Sequence, residues 1–425
     1  MSERPNIIFL LTDQLRAQEL PIYGGTQIAT PNLNRLAQEG VTFSNAVSPC
    51  PVCTPYRSML VTGRHPQSTG HVINFIRTRH DEISIGDAFS HAGYRTGWIG
   101  KWHLHTGVFP QTDGPDYVPE GRDRLGFKYW RGYNFHADYF NGTVNLDNWR
   151  WERWNGYETE ALNRYAFEFM DNAGEDPFLL FISPHQPHFT PFKWAPDSCY
   201  ARVPEYPDFP ANVPDKLKVK MREHYRHYLA MILAVDDMVG GLLDYIERTG
   251  RAGSTFFIFS SDHGTQMGGH GNPDSFAKKQ PYEESIHVPL IARIPGVFEG
   301  GGDCDTLVSP VDIFPTLCSL CGVPIPDTVE GRNFSPERKG SAAERDAVLL
   351  MNFTDTYDYL TEGQEWRGVR TKKYMYARWL NGRKVLYDLD HDPLERNNLS
   401  GDPACRALVQ EMESVMREMM SEIND

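Results

Sequence analysis

The chain lacks several features that would assign it a role at once. No apolar run approaches the ~20 residues of a membrane-spanning helix, and no internal repeat or low-complexity tract interrupts its 425 residues. Positive charge is in deficit: 42 Lys and Arg against 56 Asp and Glu give a formal charge of -14. No cationic excess therefore exists to neutralise a nucleic acid or an anionic membrane, and neither is expected as a partner. A small anionic substrate is not excluded, because a few Lys and His in one cleft outweigh a distant acidic surface. Cysteine is scarce: seven residues are too few for a disulfide scaffold, and the odd number leaves at least one unpaired. The opening "MSERPNIIFLLTDQ" has none of the regions of a secretory signal. Its apolar run is short and ends in a carboxylate, as a buried strand would. Reduced thiols and a cytoplasmic location are the expectation.

What is present is an alternation of short β-rich apolar runs with helical patterns. Strands are expected at residues 6–12, 95–99, 178–183, 255–260 and 288–294, and helices at 31–39, 85–91, 158–172 and about 215–248. In the last helix Tyr228, Ile232, Val235, Val239, Leu242 and Ile246 form one apolar stripe. Such alternation implies an α/β fold, a large mostly parallel or mixed sheet sandwiched by helices. A catalytic domain of this kind is expected over residues 1–325. After about Pro324 the composition shifts. "PIPDTVEGRNFSPERKGSAAER" reads as a connection, and "AVLLMNF", "WRGVRTKKYMYARW" and "KVLYDL" read as antiparallel strands before a terminal helix from about 403 to 423. A small C-terminal α+β subdomain over 345–425 is expected, and it is a candidate interface for a homo-oligomer. The aromatic stretch "FKYWRGYNFHADYFNGTVNLDNWRWERW" has no clean period and reads as an excursion packed on the main domain.

In open α/β sheets, ligands bind beyond the carboxyl ends of the strands. Asp13 and Gln14 follow the first expected strand, and Lys101 and His103 in "GKWHLH" follow the second. His185 and His188 in "SPHQPH" follow the third; Asp262 and His263 in "SSDHG" follow the fourth. Lys278 and Lys279 precede the fifth in "AKKQPYEESIHVPL". Singly, each has a plain structural role: a turn Asp, a satisfied core His, a solvated Lys pair. Four successive strand ends carrying such residues, on one edge of the sheet, are informative. Asp13, Gln14, Asp262 and His263 offer oxygen and imidazole ligands for Ca²⁺, Mg²⁺ or Mn²⁺. Lys101, His103, His185 and Lys278 offer donors for an oxyanion such as sulfate or phosphate. The nucleophile candidate is Cys53. In "CPVCTPYRSMLVTGR", Cys50 and Cys53 have the spacing of a redox or metal pair. Yet Thr54-Pro55 and the apolar run to Gly63 read as a helix start, whose free N–H groups and dipole favour an anionic nucleophile. Cys318 and Cys321 repeat the spacing in an apolar helical segment ending at Gly322 and read as structural thiols.

The stretch "CTPYRSMLVTGRHP" resembles the signature of the type I, formylglycine-dependent sulfatases of the alkaline phosphatase superfamily: Cys-x-Pro-x-Arg, then Thr-Gly-Arg. The likeness runs in order along nearly the whole chain, through "PNIIFLLTDQ", "TPNLNRLAQEGVTFSNAVS", "GYRTGWIGKWHL", "PHQPH", "SSDHG", "YEESIHVPLI" and "LYDLDHDPLERNNLS". It implies an alkaline-phosphatase-like fold and hydrolysis of sulfate monoesters through a covalent sulfo-enzyme intermediate. It also implies that a formylglycine-generating enzyme converts Cys53 to formylglycine, whose hydrate is the nucleophile. Asp13, Gln14, Asp262 and His263, with position 53, match the metal ligands. Ca²⁺ is the first expectation, with Mn²⁺ and Mg²⁺ as alternatives. Arg57 matches the residue that holds the nucleophile and metal region. Lys101 and His103 match its flanking pair, with His103 the base for breakdown of the intermediate. His185 and Lys278 match the pair that contacts the transferred group and protonates the leaving oxygen. Lys278 is preferred to Lys279 because it lies four residues before Tyr282 of "YEES". Asn74 and His105 are candidate substrate contacts. Two departures stand out. Many sulfatases have paired aspartates where this chain has Asp13-Gln14, a pair that resembles choline-sulfatase-like members and phosphonate monoester hydrolases. The amide removes one negative charge, which shifts preference toward Mn²⁺ and makes a phosphonate monoester or phosphodiester hydrolase the alternative. Tyr56 stands where Ser is common. A thiol–disulfide protein built on Cys50 and Cys53, and a non-catalytic homologue, are the readings from other classes.

Overall fold

The computed structural model describes residues 4–106, 117–335, 345–353 and 365–425; residues 336–344 of the expected connection lie outside the described residues. Among the described residues the main sheet has ten strands: β1 (Asn6–Thr12), β2 (Val41–Ala46), β3 (Arg95–Lys101), β4 (Tyr129–Tyr133), β5 (Thr143–Asn145), β6 (Trp151–Arg153), β7 (Phe178–Ser183), β8 (Thr255–Ser261), β9 (Leu290–Arg293) and β10 (Asp303–Val308). They pair in the order β10-β2-β9-β8-β1-β7-β3-β4-β5-β6. The central run from β8 to β4 is parallel; β9 and the β4–β5–β6 edge pair antiparallel.

Burial explains why β1 and β7 are apolar throughout. Side chains alternate between faces along a strand, and helices cover both faces. Ile8, Leu10, Leu180 and Ile182 enter one core cluster with the helices Pro31–Glu39, Glu158–Ala173 and Asp215–Arg248. Ile7, Phe9, Leu11, Leu179 and Phe181 enter the other, with Cys53–Thr62, Ile85–His91 and Pro310–Cys321. Each such side chain contributes about 1.5–3 kcal/mol on leaving water, which locks the register and hence the strand ends. All six stripe residues of the long helix are buried against the first cluster.

A second sheet is wholly antiparallel: β11 (Ala347–Asn352), β12 (Trp366–Thr371), β13 (Tyr374–Trp379) and β14 (Lys384–Asp388). The helix Arg406–Glu422 lays Val409, Met412 and Met416 on one face, beside Cys50, Val52 and Met59 from the main sheet's side. The opposite face packs on Val47, Tyr282, Ile286 and Leu307. The second sheet is thus the floor beneath the Cys53 helix.

The aromatic stretch departs from expectation. It is not an excursion: β4, β5 and β6 extend the main sheet, and strands of three to five residues are too short to display a period. Strands β2 and β10 were also not evident, because polar side chains occupy "VTFSNA" and "DCDTLV". Cys318 is buried and Cys321 partly so, and all seven cysteines are free thiols. Among the described residues, no helix is long and apolar enough to cross a membrane.

Candidate active site

Parallel pairing puts the carboxyl ends of β1, β3, β7 and β8 side by side, and each continues into its own pair of candidate residues. At the end of β1, Gln14 has φ of 69°, a left-handed conformation uncommon for a side chain of this type. Its N–H donates to Asp262 Oδ1 at 3.1 Å, and the Tyr228 hydroxyl donates to its carbonyl at 2.8 Å. The long helix therefore pins the loop. His103, with φ of 57°, is held by Thr54 Oγ1 donating to its carbonyl at 2.7 Å. The helix Cys53–Thr62 is buried over its whole length and ends at Gly63, whose φ of 66° supplies the left-handed cap. Its start is capped from outside: Thr54 N–H donates to Asn74 Oδ1 at 3.0 Å.

Cys53 Sγ is the point on which the site converges. Lys278 Nζ lies 3.3 Å away, His263 Nε2 3.2 Å and Asp13 Oδ1 3.8 Å. Arg57, one turn along, donates through Nε to Asp262 Oδ2 at 3.0 Å, and through Nη1 to Ser183 Oγ at 2.8 Å and the Lys101 carbonyl at 3.0 Å. It thereby ties the ends of β3, β7 and β8 to the helix. Lys101 Nζ pairs with Asp13 Oδ2 and lies 5.0 Å from the Phe135 ring centroid.

One ligand atom each from Asp13, Cys53, Asp262 and His263 falls within 4.8 Å of the others. His263 Nδ1 is bonded to the Gly264 carbonyl, which leaves Nε2 facing the group. Gln14 spends its Nε2 on the Phe276 carbonyl, while its Oε1 is buried without a protein partner. Two carboxylates, an imidazole and an unpaired amide oxygen suit a hard divalent cation, so the residues fit one.

The charges are strongly biased. Burial pushes the Asp13 carboxyl up, but Lys101 above all holds it well below the usual carboxylate range. Burial and Asp13 push the Cys53 thiol up, yet Lys101, Lys278 and His263 bring it below the ordinary thiol value. Burial alone would lower Lys278; Cys53, Asp13 and Asp262 raise it, so its ammonium is retained. Burial, Lys101 and Arg57 keep His103 neutral, and burial with Lys101 does the same for His185. The Lys278 ammonium at Cys53 Sγ and the neutral His103 and His185, which both pack on Phe135, are the groups for acid–base work on a bound oxyanion.

Not every candidate joins the cluster. Asn74 touches the helix start instead. His105 faces Asp123, with Nε2 3.5 Å from its carboxylate. Lys279 is turned to the second sheet through its carbonyl, which accepts from Trp366 Nε1 at 3.0 Å. The sequence reading passed over Ser183, Phe135, Tyr133 and Glu158. Phe135 packs on His103 and His185; the strand-end rule would have found it had β4 been evident. His188, close to His185 in the chain, also bears on Asp13 electrostatically.

Comparison with known proteins identifies the family. The Sulfatase family model matches residues 5–323, and the model for the C-terminal part of N-sulphoglucosamine sulphohydrolase matches residues 268–422. An ulvan-active sulfatase of Formosa agariphila is 34% identical, over 99% of this chain and 82% of its own. An endo-4-O-sulfatase of Bacteroides thetaiotaomicron is 30% identical, over 100% of this chain and 93% of its own. Among solved structures, one from work on the metabolism of multiple glycosaminoglycans by Bacteroides thetaiotaomicron superposes with a TM-score of 0.87 at 26% identity, covering 99% of this chain and 97% of that one.

Proposed function

The chain belongs to the sulfatase family, within the alkaline phosphatase superfamily, and from that premise we propose that it hydrolyses saccharide sulfate esters through position 53, matured to formylglycine. That it is a sulfatase acting on sulfate esters follows from the family. The names of the relatives, ulvan-active and endo-4-O-sulfatase, together with the glycosaminoglycan context of the solved structure, support a sulfated saccharide.

The observation that carries the mechanism is the convergence on Cys53 Sγ of Lys278, His263 and Asp13 within 3.8 Å. The matured side chain would supply a hydroxyl nucleophile and a second hydroxyl whose deprotonation releases sulfate. A divalent cation held by Asp13, Gln14, Asp262 and His263 would supply Lewis acidity and charge screening; Ca²⁺ is the first candidate. Lys278 and Lys101 hold the sulfate oxygens by charge. His185 Nε2, buried without a protein partner, donates a proton to the leaving oxygen. His103, kept neutral, takes a proton from position 53 when sulfate departs. Arg57 keeps the helix, Asp13 and Asp262 in register.

Mass spectrometry of the peptide containing Cys53, from a host that makes the aldehyde, tests this reading: it expects loss of the thiol and gain of the aldehyde. Thiol alone, in active protein, would overturn it. The amide of Gln14 favours a second reading, a phosphonate monoester or phosphodiester hydrolase. Side-by-side assay on a saccharide sulfate and a phosphonate monoester ranks the two, and faster phosphonate turnover would put the second reading first.

A further inference from the structure

Behind His185 stands a chain of side chains that no sequence motif includes. His185 Nδ1 lies 3.1 Å from the Tyr133 hydroxyl oxygen, and that hydroxyl is hydrogen-bonded to Glu158 Oε1. The direct separation of His185 Nδ1 from Glu158 Oε1 is 3.9 Å, too long for a hydrogen bond. Tyr133 is therefore the link. Glu158 is fixed on its other lone pairs by the His185 N–H at 3.3 Å and by Gln186 Nε2 at 3.1 Å. The His185 ring lies parallel to that of Tyr133, with centroids 5.2 Å apart. All three residues are buried, and only His185 Nε2 lacks a protein partner among their ring and carboxylate atoms. A buried carboxyl without a cation in contact is costly to place, and core packing alone gives no reason for one at this position.

We infer that Tyr133 and Glu158 are positioning residues that keep one exchangeable proton behind His185 and make Nε2 the atom that delivers it. The inference rests on the reading of His185 as the donor to the leaving oxygen. Proton bookkeeping supports it. Tyr133 has a single hydroxyl proton. When Glu158 is a carboxylate, that proton goes to Glu158, the Tyr133 oxygen accepts from Nδ1–H, and the neutral ring has no hydrogen on Nε2. When a proton resides on Glu158, its carboxyl donates to Tyr133, Tyr133 donates to Nδ1, and the neutral ring carries its hydrogen on Nε2. Only the second form presents Nε2–H to the substrate. As the sulfur–oxygen bond breaks, its electron pair stays on the leaving oxygen, which takes the Nε2 proton and becomes an alcohol. The end state is the first form: Nδ1–H donates to Tyr133, Tyr133 donates to Glu158, and the negative charge rests on the Glu158 carboxylate.

Burial raises the Glu158 carboxyl to about 7 despite the hydrogen bonds from Tyr133 and Gln186, so the proton is exchangeable near neutrality. The groups facing it are Tyr133 and Tyr139 on the segment from β4 onward, His136 between them, Tyr157 before its own helix, His185 and Gln186 after β7, and Lys101 at the end of β3.

Tyr133→Phe and Glu158→Gln test the inference in the matured enzyme, on a saccharide sulfate and on 4-nitrophenyl sulfate, whose leaving oxygen needs no proton. Both variants are expected to lose about 10–100-fold in kcat on the saccharide sulfate, up to the lower end of full general-acid effects of about 10²-fold, and less than about 3-fold on the aryl ester. On the saccharide sulfate alone, the high-pH limb of the rate profile must shift in Glu158→Gln. Equal loss on both esters with an unmoved limb would reduce the two residues to structural supports and overturn the inference. Glu158→Gln keeps side-chain shape, so it answers even where Tyr133→Phe fails to fold. His185→Asn separates the two levels. Leaving-group dependence in His185→Asn but in neither other variant removes the relay and spares the donor. Its absence from His185→Asn removes the donor and the relay together.

Discussion

Cys50 and Cys53 lie one helical turn apart in sequence and in opposite environments. Burial pushes the Cys50 thiol up to about 12, outweighing the opposing charges of Arg367 and Lys279, whereas the cations around Cys53 favour a negative charge there. A neutral thiol in an apolar cluster is a packing residue. Cys53→Ala is therefore expected to lower kcat by at least about 10³-fold, as removal of a nucleophile does. Cys50→Ser should keep turnover within a few-fold and lower stability by about 1–3 kcal/mol through a buried hydroxyl. Loss of activity in Cys50→Ser, with unchanged folding by circular dichroism, would return the pair to redox chemistry. At this scale the sequence was legible where the strand-end rule applies, because parallel strands all point their carboxyl ends the same way. Asp13, Lys101, His185 and Asp262 were reachable for that reason. Glu158 was not: it opens a helix and reaches the site across β4, and nothing in its own neighbourhood of sequence signals that.

Elements fix those residues through close backbone approach. Gly100, near the end of β3, has φ of 92°, and a Cβ there would stand 2.2 Å from the Ser183 carbonyl oxygen of β7. Gly100→Ala would push apart the two strands that carry Lys101 and His185. It is expected to cost at least about 2 kcal/mol, read as a lower denaturant midpoint, and to reduce kcat as well. An unchanged midpoint would mean that β3 and β7 do not need this contact. The helices and central strands were legible because burial on one face or two imposes a period of 3.6 or a continuous apolar run. The edge of the sheet was not. β5 and β6 have three residues each, β10 buries only Leu307 and Val308 of its six, and in such strands hydrogen bonding outweighs any hydrophobic pattern.

The whole molecule combines opposed buried charges, and its stability should report them. Burial holds His71 at about 4 and His136 at about 3. Both values lie below the unfolded value of about 6.5, so below that pH the unfolded chain binds protons that the folded chain refuses. Their contribution is present above pH 6.5 and is lost as pH falls, by about 1.4 kcal/mol per pH unit for each group. Glu158 acts in the opposite sense: its raised value means a contribution present below about 4.5 and lost as pH rises through about 7. Histidines outnumber it, so the melting temperature should drop between pH 6.5 and 5. His71→Gln should flatten that drop, which differential scanning fluorimetry measures. Cation binding acts through mass action. After chelation, adding Ca²⁺ or Mn²⁺ to one hundred times its Kd should raise stability by about 2.7 kcal/mol. Asp262→Asn should abolish the response; a response that survives the substitution would place the ion elsewhere.

The floor beneath the Cys53 helix comes from the far end of the chain. Cys50, Val52 and Met59 share a cluster with β11 to β14 and the last helix, and Met351 N–H donates to the Pro49 carbonyl at 2.7 Å. A ribosome adding about 5–20 residues per second needs roughly 15–60 s to travel from Pro49 to Met351. Over that interval the segment around Cys53 has emerged while the surface that encloses it does not yet exist. The architecture thus sets a clock: the segment that bears Cys53 precedes its floor by tens of seconds, and truncating the chain before β11 would leave Cys50, Val52 and Met59 without that cover.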